Sequence, residues 1–193
     1  MIFDPEVETR SVDEQYVIDS KRFPEQIKYL FKNSPFYQEK LIEAGFSSFK
    51  DIQSLDQIRN LPFTEKDEIR ATQASMPPFG AHLAASEDSI RRVYSTSGTT
   101  GVPCYLALTH KDIEVYATNV ARGYTAAGFT KGQKVVVGFN AGPFVAGAVY
   151  YGFDKIGCNV IPVGTGNTER MVTAIQRTGA TGVSCTPSYG LYL

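Results

Sequence analysis

The segment KVVVGFNAGPFVAGAVYYGFDKIGCNVIPV, Lys134–Val163, decides the fold class of this chain. It begins with a β-branched run that predicts a buried strand over Lys134–Phe139. A helix is predicted over Phe144–Ile156, and Gly157 ends it. Apolar residues return at Asn159–Val163 and predict a second strand. A strand, a helix and a strand in this order predict a parallel βαβ unit.

The same segment has no charged residue between Val135 and Phe153, a length that nearly spans a bilayer. However, Gly138, Asn140 and Pro143 interrupt it, as expected where a strand passes through a loop into a helix. We therefore predict a buried strand and helix, and no membrane span.

The alternation of strands and helices extends on both sides of this unit. Further strands are predicted near Ile90–Tyr94, Cys104–Leu108 and Gly182–Thr186. Further helices are predicted at Lys111–Ala127, ended by Gly128, and at Thr168–Thr178, ended by Gly179. This pattern predicts an α/β region over residues 90–193, with a mostly parallel sheet and crossover helices.

Residues 1–89 carry helix signals and are predicted to form an N-terminal helical region. Ser34 and Pro35 precede the helix FYQEKLIEA, which stops at Gly45. Ser54-Leu-Asp-Gln57 matches a capping box, and Thr64-Glu-Lys-Asp67 is predicted to open a short helix. Pro77, Pro78 and Gly80 then predict a loop between Ala71 and Ser89.

Composition excludes several classes of function. The formal net charge is −1, from 19 basic and 20 acidic residues mixed along the chain, so we expect neither a nucleic-acid nor a membrane partner. The three cysteines, Cys104, Cys158 and Cys185, match no zinc or disulfide pattern and are predicted to be buried free thiols. The N-terminus, MIFDPEVETRSVDEQ, has no targeting signal, which favours the cytoplasm. Neither His82 nor His110 has a serine or cysteine partner that would indicate a hydrolase triad.

The segment RVYSTSGTTGVPCYLAL, Arg92–Leu108, places a run of hydroxyl and glycine residues between two predicted strands. We call Ser95–Pro103 the hydroxyl-rich loop. Gly98 and Gly101 permit positive φ angles, so successive N–H groups can face one concavity, and the loop adds hydroxyl donors from Ser95, Thr96, Ser97, Thr99 and Thr100. These features fit a phosphate-binding loop, although the ordinary P-loop spacing is absent. A plain polar turn between two strands stays open as the alternative.

The string Tyr94–Pro103, YSTSGTTGVP, resembles the phosphate-loop signature [ST]-[ST]-G-T-T-G-x-P of the adenylate-forming (ANL) superfamily. Four further segments are similar to the phenylacetate-CoA ligase branch of that superfamily. They are NSPFYQEKL at Asn33–Leu41, LPFTEKDEIR at Leu61–Arg70, GCNVIPVGTGNTER at Gly157–Arg170 and CTPSY at Cys185–Tyr189. The resemblance covers essentially the whole chain and implies an incomplete piece of the large N-terminal domain of such enzymes.

The resemblance implies that the parent enzyme uses Mg²⁺ and ATP to convert a carboxylic acid into an acyl-adenylate, and then transfers the acyl group to coenzyme A. It assigns phosphate binding to Ser97, Gly98, Thr99, Thr100 and Gly101. It assigns no catalytic residue and no metal ligand to this chain.

Two positions depart from the family pattern. Val102 stands where this branch usually has a basic residue, and Cys104 stands where many relatives have lysine. The missing cations weaken the expectation of tight ATP binding.

The resemblance also implies an acid pocket after two of the strands. Phe139 and Phe144 fall where phenylacetate-CoA ligases place aromatic rings against the substrate, and Pro187 and Tyr189 are candidates for its far side. The family string Y-G-x-G-L-F reads F-N-A-G-P-F here, so the acid need not be phenylacetate. For all four residues an ordinary structural role stays open, with the phenylalanines in the core and Thr186-Pro187 as a strand stop.

The adenine motif, the ribose aspartate and the catalytic lysine of the family are not found before Leu193. We therefore expect a truncated piece, a proteolytic product or the product of a split gene, inactive by itself. Its open sheet edge favours a homodimer. A stand-alone binding or interaction module without catalysis is the alternative, and an acceptor other than coenzyme A also stays open.

Overall fold

The structure, a computed structural model, describes residues 1–96, 101–140 and 145–193. By their contacts the residues group into two compact units. One unit comprises Met1–Glu8 together with His110–Leu193, and the other comprises Thr9–Thr109. The division after Thr109 lies beyond residue 90, where the sequence pattern changes from helical to α/β.

The strands and helices that the sequence predicts between residues 90 and 186 are found in the predicted order. The α-helices of the described residues are α1 Pro5–Glu8, α2 Val12–Asn33, α3 Pro35–Glu43, α4 Lys66–Ser75, α5 His110–Ala126, α6 Val149–Ile156, α7 Thr168–Thr178 and α8 Pro187–Tyr192. Short 3-10 helices span Phe49–Asp51, Leu55–Asn60, Glu87–Ser89 and Val145–Ala148. The strands are β1 Ile90–Ser95, β2 Tyr105–Thr109, β3 Lys134–Val137, β4 Asn159–Pro162 and β5 Gly182–Ser184.

The Thr9–Thr109 unit contains the predicted helical region. Its core consists of apolar side chains from α2, α3 and the segment after α3, namely Ile27, Phe31, Leu41 and Ile52. Ser34 caps α3 as predicted, because its hydroxyl accepts from the Tyr37 N–H, and it is also buried against the carbonyls of Ala81 and His82. Gly45 follows the helix with φ +94°, which confirms the predicted stop.

Two boundaries in this unit differ from the sequence expectation. The capping residue of α4 is Glu65 rather than Thr64, and Glu68 completes the capping box three residues later. The helix then continues to Ser75, so the loop predicted from Ala71 begins later. The Ser54 capping box is present, although it opens a 3-10 helix.

The first two strands form an antiparallel hairpin, which corrects the expectation that they join the parallel sheet. Tyr94 pairs with Leu106 and Ser95 with Tyr105. The physical reason is the short connection between them, since a parallel pair needs a crossover of about a dozen residues or more.

The other three strands form the predicted parallel sheet, in the order β4-β3-β5. Central β3 is buried on both faces, since Val135, Val136 and Val137 are 0% exposed. The connections through α6 and α7 are the crossover helices that the pattern predicts, and Gly157 and Gly179 end them with left-handed backbone. The fold class is therefore confirmed for the parallel part of the chain.

Helices α5 and α6 pack together beside this sheet, where Ala121, Phe153 and Ile156 join the core around Val135 and Val137. The predicted helix Phe144–Ile156 corresponds to the 3-10 helix Val145–Ala148 followed by α6, and Phe144 lies outside the described residues. Phe3 of the N-terminal segment packs against the same core. Glu8 accepts from the Asp4 N–H at 2.8 Å and pairs with Arg122 at 3.5 Å, which fastens the segment to α5.

The cysteine prediction is confirmed in part. All three thiols are free, but only Cys104 is buried, while Cys158 and Cys185 are partly exposed. In the described part of the chain, no helix combines the length and the hydropathy needed to cross a bilayer.

Candidate functional site

The base of the hydroxyl-rich loop is closed by two hydrogen bonds between Thr96 and Cys104. The Thr96 N–H donates to the Cys104 carbonyl at 2.9 Å, and the Cys104 N–H donates to Thr96 Oγ1 at 3.1 Å. Cys104 is 2% exposed. The hydroxyl oxygen of Thr96, predicted as part of the phosphate cradle, therefore helps to close the loop.

Of the predicted phosphate-binding residues, the structure describes Gly101, whose φ of +119° agrees with the predicted need for glycine. Ser97, Gly98, Thr99 and Thr100 lie outside the described residues. The loop belongs to the Thr9–Thr109 unit, whereas the predicted acid-pocket residues belong to the unit that contains His110–Leu193.

The acid-pocket residues follow β3 and β5, neighbouring strands whose carboxyl ends meet at one edge of the sheet, where open α/β sheets bind ligands. The Gly138 N–H donates to the Ser184 carbonyl at 2.8 Å and extends the pairing beyond β3. The structure thus brings Phe139 and the segment with Pro187 and Tyr189 to the same edge. Phe144 lies outside the described residues.

Phe139 is half-buried and packs against the hydrophobic core of its unit. Its carbonyl accepts from the Tyr150 hydroxyl at 2.7 Å, so α6 holds the backbone where β3 ends. Burial raises the pKa of the Tyr150 hydroxyl above its ordinary value, which already keeps the group protonated at neutral pH. Phe139 is therefore only partly exposed, and its backbone is held by α6.

Asn140, the next residue, joins the loops that follow β3 and β4. Its Nδ2 donates to Thr165 Oγ1 at 2.8 Å, and its Oδ1 accepts from the Thr165 N–H at 3.1 Å. The Val163 and Gly164 N–H groups both donate to the Val137 carbonyl, which fixes the start of the second loop. The loops that follow β3 and β4 are consequently joined by side-chain hydrogen bonds as well as by backbone hydrogen bonds that continue the sheet.

Pro187 and Tyr189 lie in the first turn of α8, which is separated from β5 by Cys185 and Thr186. Pro187 is exposed, while Tyr189 is half-buried. The Tyr189 hydroxyl donates to Thr168 Oγ1 at 3.1 Å, at the start of α7, and its ring stacks on Tyr192 with centroids 6.3 Å apart. Tyr189 therefore has a structural partner at the same edge, and Pro187 is the more accessible of the two.

Sequence reasoning missed the residues that hold this edge in place. Tyr150 and Thr168 act through hydroxyls that no local pattern singles out, and Thr165 lies 25 positions after its partner Asn140. The sequence Gly164-Thr165-Gly166 after β4 could have indicated a tight turn that presents Thr165, since both flanking glycines adopt positive φ.

Two clefts in the same unit are lined by other residues. A cleft of about 290 Å³ lies between α5 and α6 beside the Glu114–Lys155 ion pair. A second, of about 390 Å³, is lined by the first three residues, Phe129, Ile156 and their neighbours. Neither contains a predicted site residue. Among the described residues, no cluster of His, Cys, Asp or Glu could hold a metal ion.

No family model matches this chain. It is 35% identical over 193 residues to a phenylacetate-coenzyme A ligase of Pseudomonas putida, which covers 100% of this chain and 42% of that protein. It is 34% identical over 190 residues to a phenylacetate-coenzyme A ligase of Thermus thermophilus, with 98% and 41% covered. The chain thus spans about two fifths of the length of the curated relatives it matches.

Solved structures show the same relationship in the fold. A 2-hydroxyisobutyryl-CoA ligase in complex with 2-HIB-AMP and CoA, in the thioesterification state, matches 99% of this chain and 41% of its own length. The TM-score is 0.90 at 26% sequence identity. Sequence and fold therefore agree. The chain, which is about two fifths as long as its relatives, belongs to the phenylacetate-CoA ligase family of adenylate-forming enzymes.

Proposed function

We propose that this chain is part of a longer acid–CoA ligase, called the parent ligase below. That enzyme activates an aryl carboxylic acid with ATP, releases pyrophosphate and transfers the acyl group from the adenylate to coenzyme A. The observation that carries the proposal is the similarity of the whole chain to phenylacetate-CoA ligases, since it includes the hydroxyl-rich loop.

In this proposal Ser97, Gly98, Thr99, Thr100 and Gly101 hold the β- and γ-phosphates with neutral donors. Hydroxyl and N–H groups stabilise the charge that develops on the leaving pyrophosphate when they are fixed in advance. The paired residues at the loop base, Thr96 and Cys104, support this role because they fix both ends of the loop.

The acid would bind at the carboxyl edge of β3 and β5. Phe139 and Phe144 would contact its aryl group, and Pro187 and Tyr189 would border it. The half-buried position of Phe139 and the exposure of Pro187 support this assignment. The paired polar groups at this edge, Asn140 with Thr165 and Tyr189 with Thr168, would shape the pocket rather than bind a carboxylate directly.

Mg²⁺, when bound with ATP, supplies positive charge to the phosphate oxygens. The resemblance assigns no metal ligand to this chain, so we assign Mg²⁺ to none of its residues. The reducing cytoplasm is the compartment we propose, since all three cysteines are free thiols. We also propose that the 193-residue chain forms a homodimer through the open edge of its sheet.

The test is an assay of the parent ligase for pyrophosphate release and thioester formation with a panel of aryl and alkyl acids. We expect ATP-dependent release with an aryl acid and a CoA thioester as product. Pyrophosphate release without a thioester would assign adenylation to another acceptor. Absence of both activities would instead favour the stand-alone binding module.

The 193-residue chain, assayed in parallel, should form no thioester, because the resemblance places the catalytic lysine and adenine motif in other parts of the enzyme.

A matched variant of the parent ligase, Thr99→Val with Thr100→Val, keeps side-chain size and removes two hydroxyls. Adenylation should fall by at least about tenfold, while thioester formation from supplied acyl-adenylate should change little. Adenylation at the wild-type rate in this variant would make the loop a plain polar turn.

A further inference from the structure

A buried glutamine binds the backbone of β2 at the base of the hydroxyl-rich loop. Gln73 Nε2 donates to the Tyr105 carbonyl at 2.8 Å, and the Tyr105 N–H donates to Gln73 Oε1 at 3.1 Å. In an antiparallel pair, backbone groups of alternate residues point away from the partner strand, and here one amide satisfies both groups of Tyr105. Gln73 thus takes the place of one residue of a neighbouring strand.

The pairing requires the chemistry of an amide. Gln73 is only 9% exposed, so its polar atoms depend on these partners, and a buried polar group without a partner is costly. A carboxylate at this position would accept from the Tyr105 N–H but would face the Tyr105 carbonyl without a proton to donate. A methionine would fill the space and satisfy neither backbone group.

The helix that carries Gln73, α4, is itself bound to α3 by an ion pair. Glu68, five residues before it on α4, accepts a hydrogen bond from the Lys40 ammonium of α3 at 2.6 Å, and the Lys40 side chain is 12% exposed. The connection therefore runs from α3 through α4 and Gln73 to Tyr105. Tyr105 directly follows Cys104, whose N–H and carbonyl close the loop on Thr96.

We propose that Gln73 is a positioning residue for the hydroxyl-rich loop: by binding Tyr105 it fixes the Thr96–Cys104 base of the loop to which phosphate binding is assigned in the proposed function. The inference rests on the proposed function, because the consequence is adenylation with ATP. Gln73 would touch neither ATP nor the acid. Its effect should appear in the adenylation half-reaction and leave the transfer to coenzyme A nearly unchanged.

The experiment uses the parent ligase with Gln73→Met, which removes both hydrogen bonds, and Gln73→Glu, which keeps the acceptor for the Tyr105 N–H. Gln26→Met, at an exposed position on α2, is the matched control. For Gln73→Met we expect kcat/KM for ATP in adenylation to fall about tenfold, and Gln73→Glu should lose at least as much, because its buried carboxylate faces the Tyr105 carbonyl. Thioester formation from supplied acyl-adenylate should stay within about twofold in every variant.

Amide hydrogen exchange gives a second measurement that does not depend on activity. The Thr96 N–H donates to Cys104 and the Cys104 N–H donates to Thr96, and neither N–H contacts Gln73. Faster exchange of both N–H groups in Gln73→Met would therefore show that the clamp, the pair of hydrogen bonds between Gln73 and Tyr105, fixes the loop base. Exchange in α2 around Ile27 should not change. If the wild-type enzyme forms no adenylate but this acceleration is seen, the proposed function fails and the clamp is established.

Two results would overturn the inference. Equal losses in adenylation and thioester formation by Gln73→Met, at a lowered melting temperature, would make Gln73 a general stabilising residue. Wild-type exchange at Thr96 and Cys104 in both Gln73 variants would show that the loop base does not depend on the clamp. Gln73→Glu keeps the test decisive if Gln73→Met fails to fold.

Discussion

Asn140 binds Thr165 through both ends of its side-chain amide, at 2.8 Å from Nδ2 to Oγ1 and 3.1 Å from the Thr165 N–H to Oδ1. The two residues come from loops after β3 and β4, adjacent strands in the sheet. Because an amide fixes two neighbouring atoms at once, the pair sets the distance between the loops. The pair thereby fixes the position of Asn140, which directly follows Phe139 at the edge where we propose that the acid binds.

Asn140→Ala in the parent ligase should therefore affect the acid more than ATP. We expect kcat/KM for an aryl acid to fall about three- to tenfold, since two hydrogen bonds at an exposed position are lost, with KM for ATP nearly constant. Steady-state kinetics with each substrate varied will measure this. Asn119→Ala, at an exposed position on α5, is the control and should change neither constant. Equal increases in both KM values would contradict a role in the acid pocket.

Gly164→Ala should reproduce the Asn140 effect by a different route. Gly164 has φ +77°, and an added Cβ would lie 2.6 Å from Asn140 Oδ1, so alanine strains the backbone and displaces the amide. Gly166→Ala is a close control, because φ is +86° there and an added Cβ meets nothing within 4 Å. We expect Gly164→Ala to reduce acid use further than Gly166→Ala, although both lower the melting temperature.

The double variant Gly164→Ala with Asn140→Ala gives an internal check. Two changes that break one contact should not add, so the double variant should lose little beyond either single variant. Additive losses in kcat/KM for the acid would mean that the two residues act separately.

Tyr150→Phe removes the hydroxyl that donates to the Phe139 carbonyl at 2.7 Å and leaves the ring in place. The carbonyl, at the half-buried end of β3, then lacks its partner, so the free energy of unfolding should fall by about 1 kcal/mol. Urea unfolding will measure the change, with Tyr192→Phe at an exposed position as control. A loss no greater than that of the control would show that water replaces the Tyr150 hydroxyl.

The elements that the sequence predicted correctly have local causes. Gly157 and Gly179 adopt left-handed backbone at the ends of α6 and α7, and such stops can be recognised without knowing the fold. The apolar run Val135–Val137 similarly predicts a strand buried on both faces. The antiparallel hairpin was also predictable, because the segment between Ser95 and Tyr105 is too short for a crossover.

The contacts that shape the candidate sites have no local cause. Gln73 and Tyr105 are 32 positions apart, and Asn140 and Thr165 are 25 apart, so each pair exists only after the strands and helices have assembled. A glutamine on a helix normally predicts an exposed surface, and only tertiary structure buries Gln73. Sequence therefore predicts which segments carry the candidate sites, and the structure shows which residues hold the described parts of those segments in place.

Gly152 on α6 is likewise needed because of a tertiary contact. Its replacement by alanine should destabilise the protein, although helix propensity alone predicts the opposite. Propensity alone predicts that Gly152→Ala stabilises α6 by about 1 kcal/mol. An added Cβ would instead overlap Val120 Cγ1 on α5, lie 2.6 Å from Val120 Cβ and approach the Ala121 N–H nitrogen to 3.2 Å. The helices would have to separate next to Phe153, which is fully buried in the core, so we expect a loss of about 1–3 kcal/mol.

Urea unfolding of the parent ligase, followed by a probe in this unit, measures the change for Gly152→Ala. Gly123→Ala on α5 is the matched control, since an added Cβ there meets nothing within 4 Å, and it should stabilise the protein by about 0.5–1 kcal/mol. Val120→Ala combined with Gly152→Ala should recover part of the loss, because the first change removes the overlapping Cγ1 atom. Stabilisation by Gly152→Ala equal to that of Gly123→Ala would mean that α5 and α6 can separate freely, and close packing at Gly152 would then not be needed for the fold.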